Sequence, residues 1–288
     1  MLTTHPMLTT HRALRKMETR IKMTWAASGA DAFLVSYPKS GRTWFRHILA
    51  DYFSRTAHDG NVDLFRMFGV LPNFDLDPER GIPAFRYAEQ RPQVPLILVS
   101  HLGYRQMLFL HRPVIFMVRD PRDVVVSAYF HATRHKHRFE GDMDAFIYDY
   151  HQGLPALIMH LNSWAKGLTH HRHEVLSYEE LTDDPVGTSS RILRFLGHAP
   201  SVPDLEGAIE ASRFEAMREH EVAGGLPAHS YDRADAESRR MRRGKVGGFA
   251  DYLSDAQAEL IERTCSEWLT PAAKELLCRG GTHFSRYN

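Results

Sequence analysis

Lysine, serine, arginine and threonine cluster around a glycine in the stretch Ala32 to Trp44, A-F-L-V-S-Y-P-K-S-G-R-T-W, and together they make an anion receptor. An apolar run stops at Pro38-Lys39-Ser40-Gly41, and a helix-like pattern begins at once. A strand, a tight turn and a helix start, in that order, leave backbone N–H groups without helical partners. The helix dipole favours negative charge at the same place. Lys39 adds a mobile cation, and Ser40 and Thr43 add hydroxyl donors. Phosphate or another tetrahedral anion suits such a cradle. The Walker A order does not fit, because it places lysine after its second glycine, whereas Lys39 precedes Gly41 and Arg42 follows it. No strand ending in an acidic pair suited to Mg²⁺ is evident. The loop therefore reads as a site for a phosphate ester used without metal.

Three further groups could act on the same anion. Pro113 to Val118, P-V-I-F-M-V, reads as a buried strand running into Arg119-Asp120-Pro121. Asp120 is placed to cap a helix and Pro121 to open it. Arg119 then stands at the carboxyl end of a strand, where open α/β sheets bind ligands. Ser127 lies about two turns along the following helix. Leu96 to Ser100 is another apolar strand, and it delivers His101 at its end as a candidate base. Near the C-terminus, Arg239, Arg240, Arg242, Arg243 and Lys245 crowd around Gly244, Gly247 and Gly248. Such a run is ordinarily a solvated face, but its glycines suit a loop that approaches a ligand closely, and arginine forks suit phosphate oxygens.

The order Tyr-Pro-Lys-Ser-Gly-x-Thr-Trp resembles the 5′-phosphosulfate loop of the cytosolic-type sulfotransferases, which use 3′-phosphoadenosine 5′-phosphosulfate (PAPS). The resemblance spans about residues 32–270. It implies that Lys39, Ser40, Gly41, Arg42, Thr43 and Trp44 hold the donor. Arg119 and Ser127 match the residues that grip its 3′-phosphate, and Arg242, Arg243 and Gly244 match the loop folded over that phosphate. Gly248 and Phe249 depart from that loop's acidic and indole positions. His101 occupies the place of the catalytic base, preceded by Val99-Ser100 without the customary lysine. Trp44 and Phe214 resemble the pair that sandwiches adenine, with Arg213 shifting Phe214 by one residue, and Tyr178 resembles a tyrosine meeting adenine from the next strand end. Arg42 replaces the usual threonine; it either adds a guanidinium beside the phosphosulfate or points to solvent, and solvent is the preferred reading. The mechanism implied is in-line transfer with His101 as base and Lys39 on the leaving group. The product is adenosine 3′,5′-bisphosphate (PAP), and no metal is expected. A P-loop kinase-like phosphotransferase and a noncatalytic bisphosphate-binding module are the alternatives.

Bulk properties narrow the class. The 288 residues are 43% hydrophobic and 25% charged, with a net charge of +1. Those are ordinary proportions for a globular protein, with no bulk electrostatic case for nucleic acid or membrane. No apolar run reaches the length of a membrane span. With two cysteines, Cys265 and Cys278, and no secretory signal, a cytoplasmic protein with reduced thiols is expected. His131, His135 and His137 share helical spacing, but no cysteine or carboxylate completes a metal set, so they read as a solvated helix end. The acceptor is expected to be a small molecule with one nucleophilic hydroxyl (or amine). Segments 60–92, 103–110, 135–155 and 221–240 should line its pocket. Phe65, Phe68, Phe74, Phe85, Tyr87, Tyr104 and Phe109 would supply its aromatic surface. The family's short dimerisation motif is not visible, and the oligomeric state stays open.

Positioning these groups takes alternating strands and helices. Strands are expected at 32–37, 96–100, 113–119 and 173–178. Helices are expected at 41–55, 121–134, 142–151, 156–168, 185–197, 204–218 and from a Ser254 capping box to about Leu269. Residues 57–95 read as irregular and 221–240 as mobile. The pattern implies a P-loop-like three-layer α/β fold with a central parallel sheet flanked by helices. Residues 1–25 are read as a flexible extension and 26–288 as one domain.

Overall fold

In the computed structural model, which describes residues 6–75, 91–225, 231, 232 and 234–279, four short parallel strands form the centre. They are β1 (Ala32–Ser36), β2 (Ile97–Ser100), β3 (Val114–Val118) and β4 (His173–Ser177), in the order β2-β1-β3-β4. Every residue of β1, β2 and β3 is buried, as a parallel sheet covered on both faces requires. Alternation sorts their side chains into two layers. Phe33, Val35, Leu98, Phe116 and Val118 pack beneath the helices Leu154–Leu168 and Asp255–Trp268. Leu34, Val99, Ile115, Met117 and Leu176 face the helices Arg42–Thr56, Pro185–Phe195 and Val202–Ala211. The result is the expected three-layer arrangement.

The chain leaves β1, pairs β2 on one side and then crosses to β3 on the other. The strand order therefore reverses at β1/β3, and such a switch point opens a crevice at the strands' carboxyl ends. The register pairs Ser36 with Met117, so the loops after β1 and β3 leave the sheet side by side. Those loops carry Lys39 and Arg119.

Local chemistry explains most helix starts. The Asp120 carboxylate accepts from the Arg122 N–H, with Pro121 as the first residue of the helix Pro121–Phe130. Ser177 caps Tyr178–Asp183, Asp184 caps Pro185–Phe195, and Ser254 with Gln257 forms the expected capping box.

Three expectations need correction. The N-terminal stretch is a helix, Pro6–Gly29, rather than a flexible extension, and its last turns bury Met23, Ala26 and Ala27, followed by Ala30. Those positions have the i, i+3, i+4, i+7 spacing of a core-facing stripe, outweighed in the sequence by the charges around them. The expected helix 204–218 is two helices, Val202–Ala211 and Phe214–Gly224. Ser212 lies at the break: its hydroxyl donates to the Ala208 carbonyl at 2.6 Å and meets His47 Nδ1 at 2.7 Å. Lastly, Phe74 and Phe109 are core residues set edge-on to Phe33 at 5.0 and 4.9 Å, and Tyr104 lies edge-on against Trp164. They support the sheet rather than offer a pocket surface. Phe85 and Tyr87 lie outside the described residues, as do parts of the segments 60–92 and 221–240.

Candidate active site

The early loop is built for close approach. Lys39 takes φ 73° and Gly41 φ 89°, and the helix Arg42–Thr56 begins immediately after. No side chain caps that helix, so its first N–H groups face the loop. A Cβ on Gly41 would lie 2.3 Å from the Tyr178 ring and 3.1 Å from Met117 Cε. Both the backbone angle and the space demand glycine. Gly41→Ala is expected to push Tyr178 and the loop apart and lower nucleotide affinity at least ~10-fold. Calorimetry with PAP would show this, and wild-type affinity would refute it.

Tyr178 is buried under this loop. Trp44 meets its ring edge-on at 5.6 Å, and the Arg119 guanidinium lies 4.1 Å over its face. Arg119 in turn joins the two anion loops. Its Nη1 donates to the Lys39 carbonyl at 3.4 Å and its Nη2 to the Lys245 carbonyl at 3.1 Å, while Nη2 also pairs with Asp123 at 3.2 Å. Its Nε is buried and finds no hydrogen-bond partner among the described residues.

Asp123, buried one turn after Arg119, is a residue the sequence reading passed over. Its carboxylate accepts from the Gly247 N–H at 3.0 Å and the Phe249 N–H at 2.8 Å as well as from Arg119. Phe249, at the family's indole position, also carries the Arg122 guanidinium over its ring at 4.2 Å. Glu221 is the matching pin at the other end of the basic run. It is fully buried and accepts from the Arg240 N–H, the Met241 N–H and the Tyr231 hydroxyl at 2.7, 2.8 and 2.6 Å. A short spacing pattern could have exposed Asp123, which stands four residues from both Arg119 and Ser127 on one helix face. Glu221 carried no such signal.

The basic run divides. Arg240, absent from the sequence-based set, donates to Thr43 Oγ1 at 3.3 Å and so reaches the early loop. Arg242 pairs with Glu237 at 3.1 Å between the Phe130 and Tyr252 rings. Arg243 is exposed and donates to the Tyr252 hydroxyl. Phe214 packs so closely on Gly244 that a Cβ there would lie 2.4 Å from its ring. Ser40 is buried in the early loop, and Ser127 is half-buried on the Asp123 helix.

Electrostatics follow from crowding cations in a desolvated place. Burial, then Arg240, lowers Lys39 to about 7, with Glu221 opposing. Burial and Arg240 lower Arg42 to about 9, with Asp75 opposing. Arg42 is half-buried rather than turned out to solvent: its Nη1 is buried and finds no hydrogen-bond partner among the described residues. His101 opens to solvent on one side while protein crowds the other. Desolvation first, then the Arg42 charge, holds its imidazole well below the usual range. Its Nδ1 lies 2.9 Å from the Ser36 carbonyl, which can only accept, so Nδ1 carries the proton and Nε2 a lone pair.

The histidine run also differs from a solvated helix end. The helix widens to a π-helix, His131–His135, where the two rings lie 4.5 Å apart. His135 is buried against the Ser238 carbonyl and the Tyr231 ring, and only His137 is exposed. Among the described residues no group of three or more His, Cys, Asp or Glu is arranged to hold a metal ion.

These loops stand together at a switch point of the parallel sheet of an α/β protein. Residues 30–272 match the sulfotransferase domain, and the chain belongs to that family of PAPS-dependent enzymes. It is 24% identical to sulfotransferase 2A2 of Mus musculus over 261 residues, covering 88% of this chain and 89% of that protein. It is 27% identical to the 3-alpha-hydroxysteroid sulfotransferase of Cavia porcellus over 250 residues, covering 82% and 83%. Among solved structures, retinol dehydratase with retinol and PAP superposes with a TM-score of 0.62 at 20% identity, covering 88% of this chain and 83% of that one. Mouse sulfotransferase SULT7A1 with PAP gives 0.60 at 20% identity, covering 89% and 93%. No helix among the described residues is long and apolar enough to cross a membrane.

Proposed function

We propose that this sulfotransferase moves the sulfuryl group of PAPS directly to a hydroxyl or amine of a small-molecule acceptor in the cytoplasm, with His101 as base and Lys39 on the leaving group. The observation that carries the reading is Arg119, whose guanidinium touches both the early lysine loop and the late arginine loop. Two anion receptors that share one arginine are close enough to serve the two ends of one nucleotide. The buried, unpartnered Arg119 Nε suits an incoming phosphate oxygen.

The donor supplies a sulfur atom already bonded to a good leaving group, a phosphate oxygen. As the acceptor oxygen bonds to that sulfur, the bond from sulfur to the bridging oxygen breaks and its electron pair stays on that oxygen. His101 Nε2 takes the acceptor's proton. Lys39 faces the negative charge that develops on the departing oxygen. The early-loop amides, Ser40, Arg42, Thr43 and Arg240 hold the 5′ end. Arg119, Ser127, Arg242, Arg243 and Gly244 hold the 3′-phosphate. Trp44 and Phe214, with Tyr178 beside them, bracket adenine. Relatives support a small alcohol as acceptor: the Cavia porcellus enzyme is named for hydroxysteroids, and the retinol dehydratase structures hold retinol or androsterone beside PAP.

Thermal unfolding separates this reading from a kinase. A ligand at 100 times its Kd adds about 2.7 kcal/mol of stability, so PAP should raise Tm by several degrees and ATP with Mg²⁺ should not. Equal shifts would favour the phosphotransferase reading. Transfer from labelled PAPS over an acceptor panel distinguishes the enzyme from a module that only binds PAP.

A further inference from the structure

The helix Pro6–Gly29 carries two lines of residues down its length, and only one of them is buried. Thr19, Met23, Ala26 and Ala27 face the domain. Met17, Ile21 and Trp25 follow one another at i, i+4 and i+8. At about 100° of rotation per residue, they fall on the opposite side of the helix. All three are largely exposed: Met17 by 56%, Ile21 by 61% and Trp25 by 67%. Large apolar side chains are commonly exposed singly, but three in succession along one helix face make a patch. Beside it, Met107 is exposed on the short helix Gln106–Phe109, which packs against Pro6–Gly29.

The charges say what such a patch meets. Arg20 and Lys22, both exposed, stand on either side of Ile21 and so flank the apolar line. Lys22 pairs with Glu18 at 2.5 Å, and Glu18 is the only acid in the first 25 residues. Against it stand Arg12, Arg15, Lys16, Arg20 and Lys22. The chain's net charge of +1 hides this asymmetry, because the remainder is net acidic. A second copy is a poor occupant, since a two-fold contact through this face would set one cationic helix against another. An anionic lipid surface is complementary. There the apolar line enters the headgroup boundary, the flanking cations meet lipid phosphates, and an indole is suited to the interface.

We propose that the helix Pro6–Gly29 docks this protein on the surface of an anionic lipid bilayer, lying in the headgroup plane with Met17, Ile21 and Trp25 turned inward. The helix rests on the bilayer and does not cross it. The leaflet that faces the cytoplasm carries such anionic lipids. No residue of the nucleotide site takes part, so the docking is separable from sulfuryl transfer.

Co-sedimentation of the full-length protein with vesicles tests this. One preparation is phosphatidylcholine alone, and the other carries about one phosphatidylserine in four lipids. Each Lys or Arg near an anionic surface strengthens binding by about 5-fold. The phosphatidylserine vesicles should therefore be favoured at least ~10-fold, and raised salt should erase the preference. Arg20→Gln should lower binding by about 5-fold. Ile21→Gln should lower it by about 5- to 10-fold while PAP affinity and thermal unfolding stay at wild-type values. Equal sedimentation on the two preparations overturns the proposal, and so does binding that Ile21→Gln leaves intact. A dimer in lipid-free solution that Ile21→Gln dissolves, with no preference for anionic vesicles, makes the stripe a contact between copies and overturns it as well. The vesicle comparison needs neither variant nor nucleotide, so its result stands apart from the donor reading.

Discussion

His101→Ala is expected to lower turnover by ~10²–10⁴-fold while PAP affinity stays close to wild type. The substitution removes a proton acceptor whose orientation is fixed by the Ser36 carbonyl and whose Nε2 is free to take a proton. Desolvation on its protein-facing side, then the Arg42 charge, holds its imidazole well below the usual range, so the base stays neutral across the physiological window. kcat/KM should therefore remain level as pH falls through 6.5, where an unperturbed histidine would already be losing activity. Lys39→Ala should cost about as much, ~10²–10³-fold, by removing the cation that faces the leaving oxygen. Lys39 titrates at about 7 in the free protein, so PAP, which favours the charged form, should bind more weakly as pH rises through neutrality. Near-normal turnover of either variant would remove that residue from the chemistry, and an acid limb at the ordinary histidine pKa would contradict the environment described for His101.

Asp123→Ala should be the most damaging substitution away from the reacting atoms. It strips Arg119 of its ion-pair partner and leaves the Gly247 and Phe249 N–H groups unsatisfied in a buried place. Breaking a buried pair by removing one partner costs about 3–5 kcal/mol. Urea unfolding should show a drop of that size. PAP affinity should fall as well, because Arg119 loses its orientation and the late loop its anchor. Asp123→Asn, which keeps shape and loses charge, should lie between. Wild-type stability together with wild-type PAP affinity would show that the carboxylate is incidental.

Much of the site was legible in the sequence because it is local. The Lys39 loop, Arg119 and His101 each stand at a strand end, and strand ends are marked by apolar runs that stop. The Asp120, Pro121 and Ser254 signals place helix starts within a residue or so for the same reason. What escaped is what depends on distant partners. Arg240 looked like one more charge in a basic run, and only its contact with Thr43 ties it to the early loop. Asp123 and Glu221 bind backbone groups far along the chain; the four-residue spacing to Arg119 hints at Asp123, and nothing local announces Glu221. An arginine in a turn ordinarily reaches water, whereas Arg42 is half-buried with its Nη1 shut away from solvent. The two-helix break at Ser212 is hidden in the sequence because the partner that distinguishes this serine, His47, lies on a helix far away in the chain.

The two carboxylate pins also set how far the arginine run can travel. Glu221 clamps the chain at Arg240 and Met241, and Asp123 clamps it again at Gly247 and Phe249. Between those ends lie Arg242, Arg243 and Gly244, with Arg119 holding the Lys245 carbonyl as well. A five-residue bridge moored at both banks has little reach, so its guanidinium groups are presented to a ligand at nearly fixed height above the sheet.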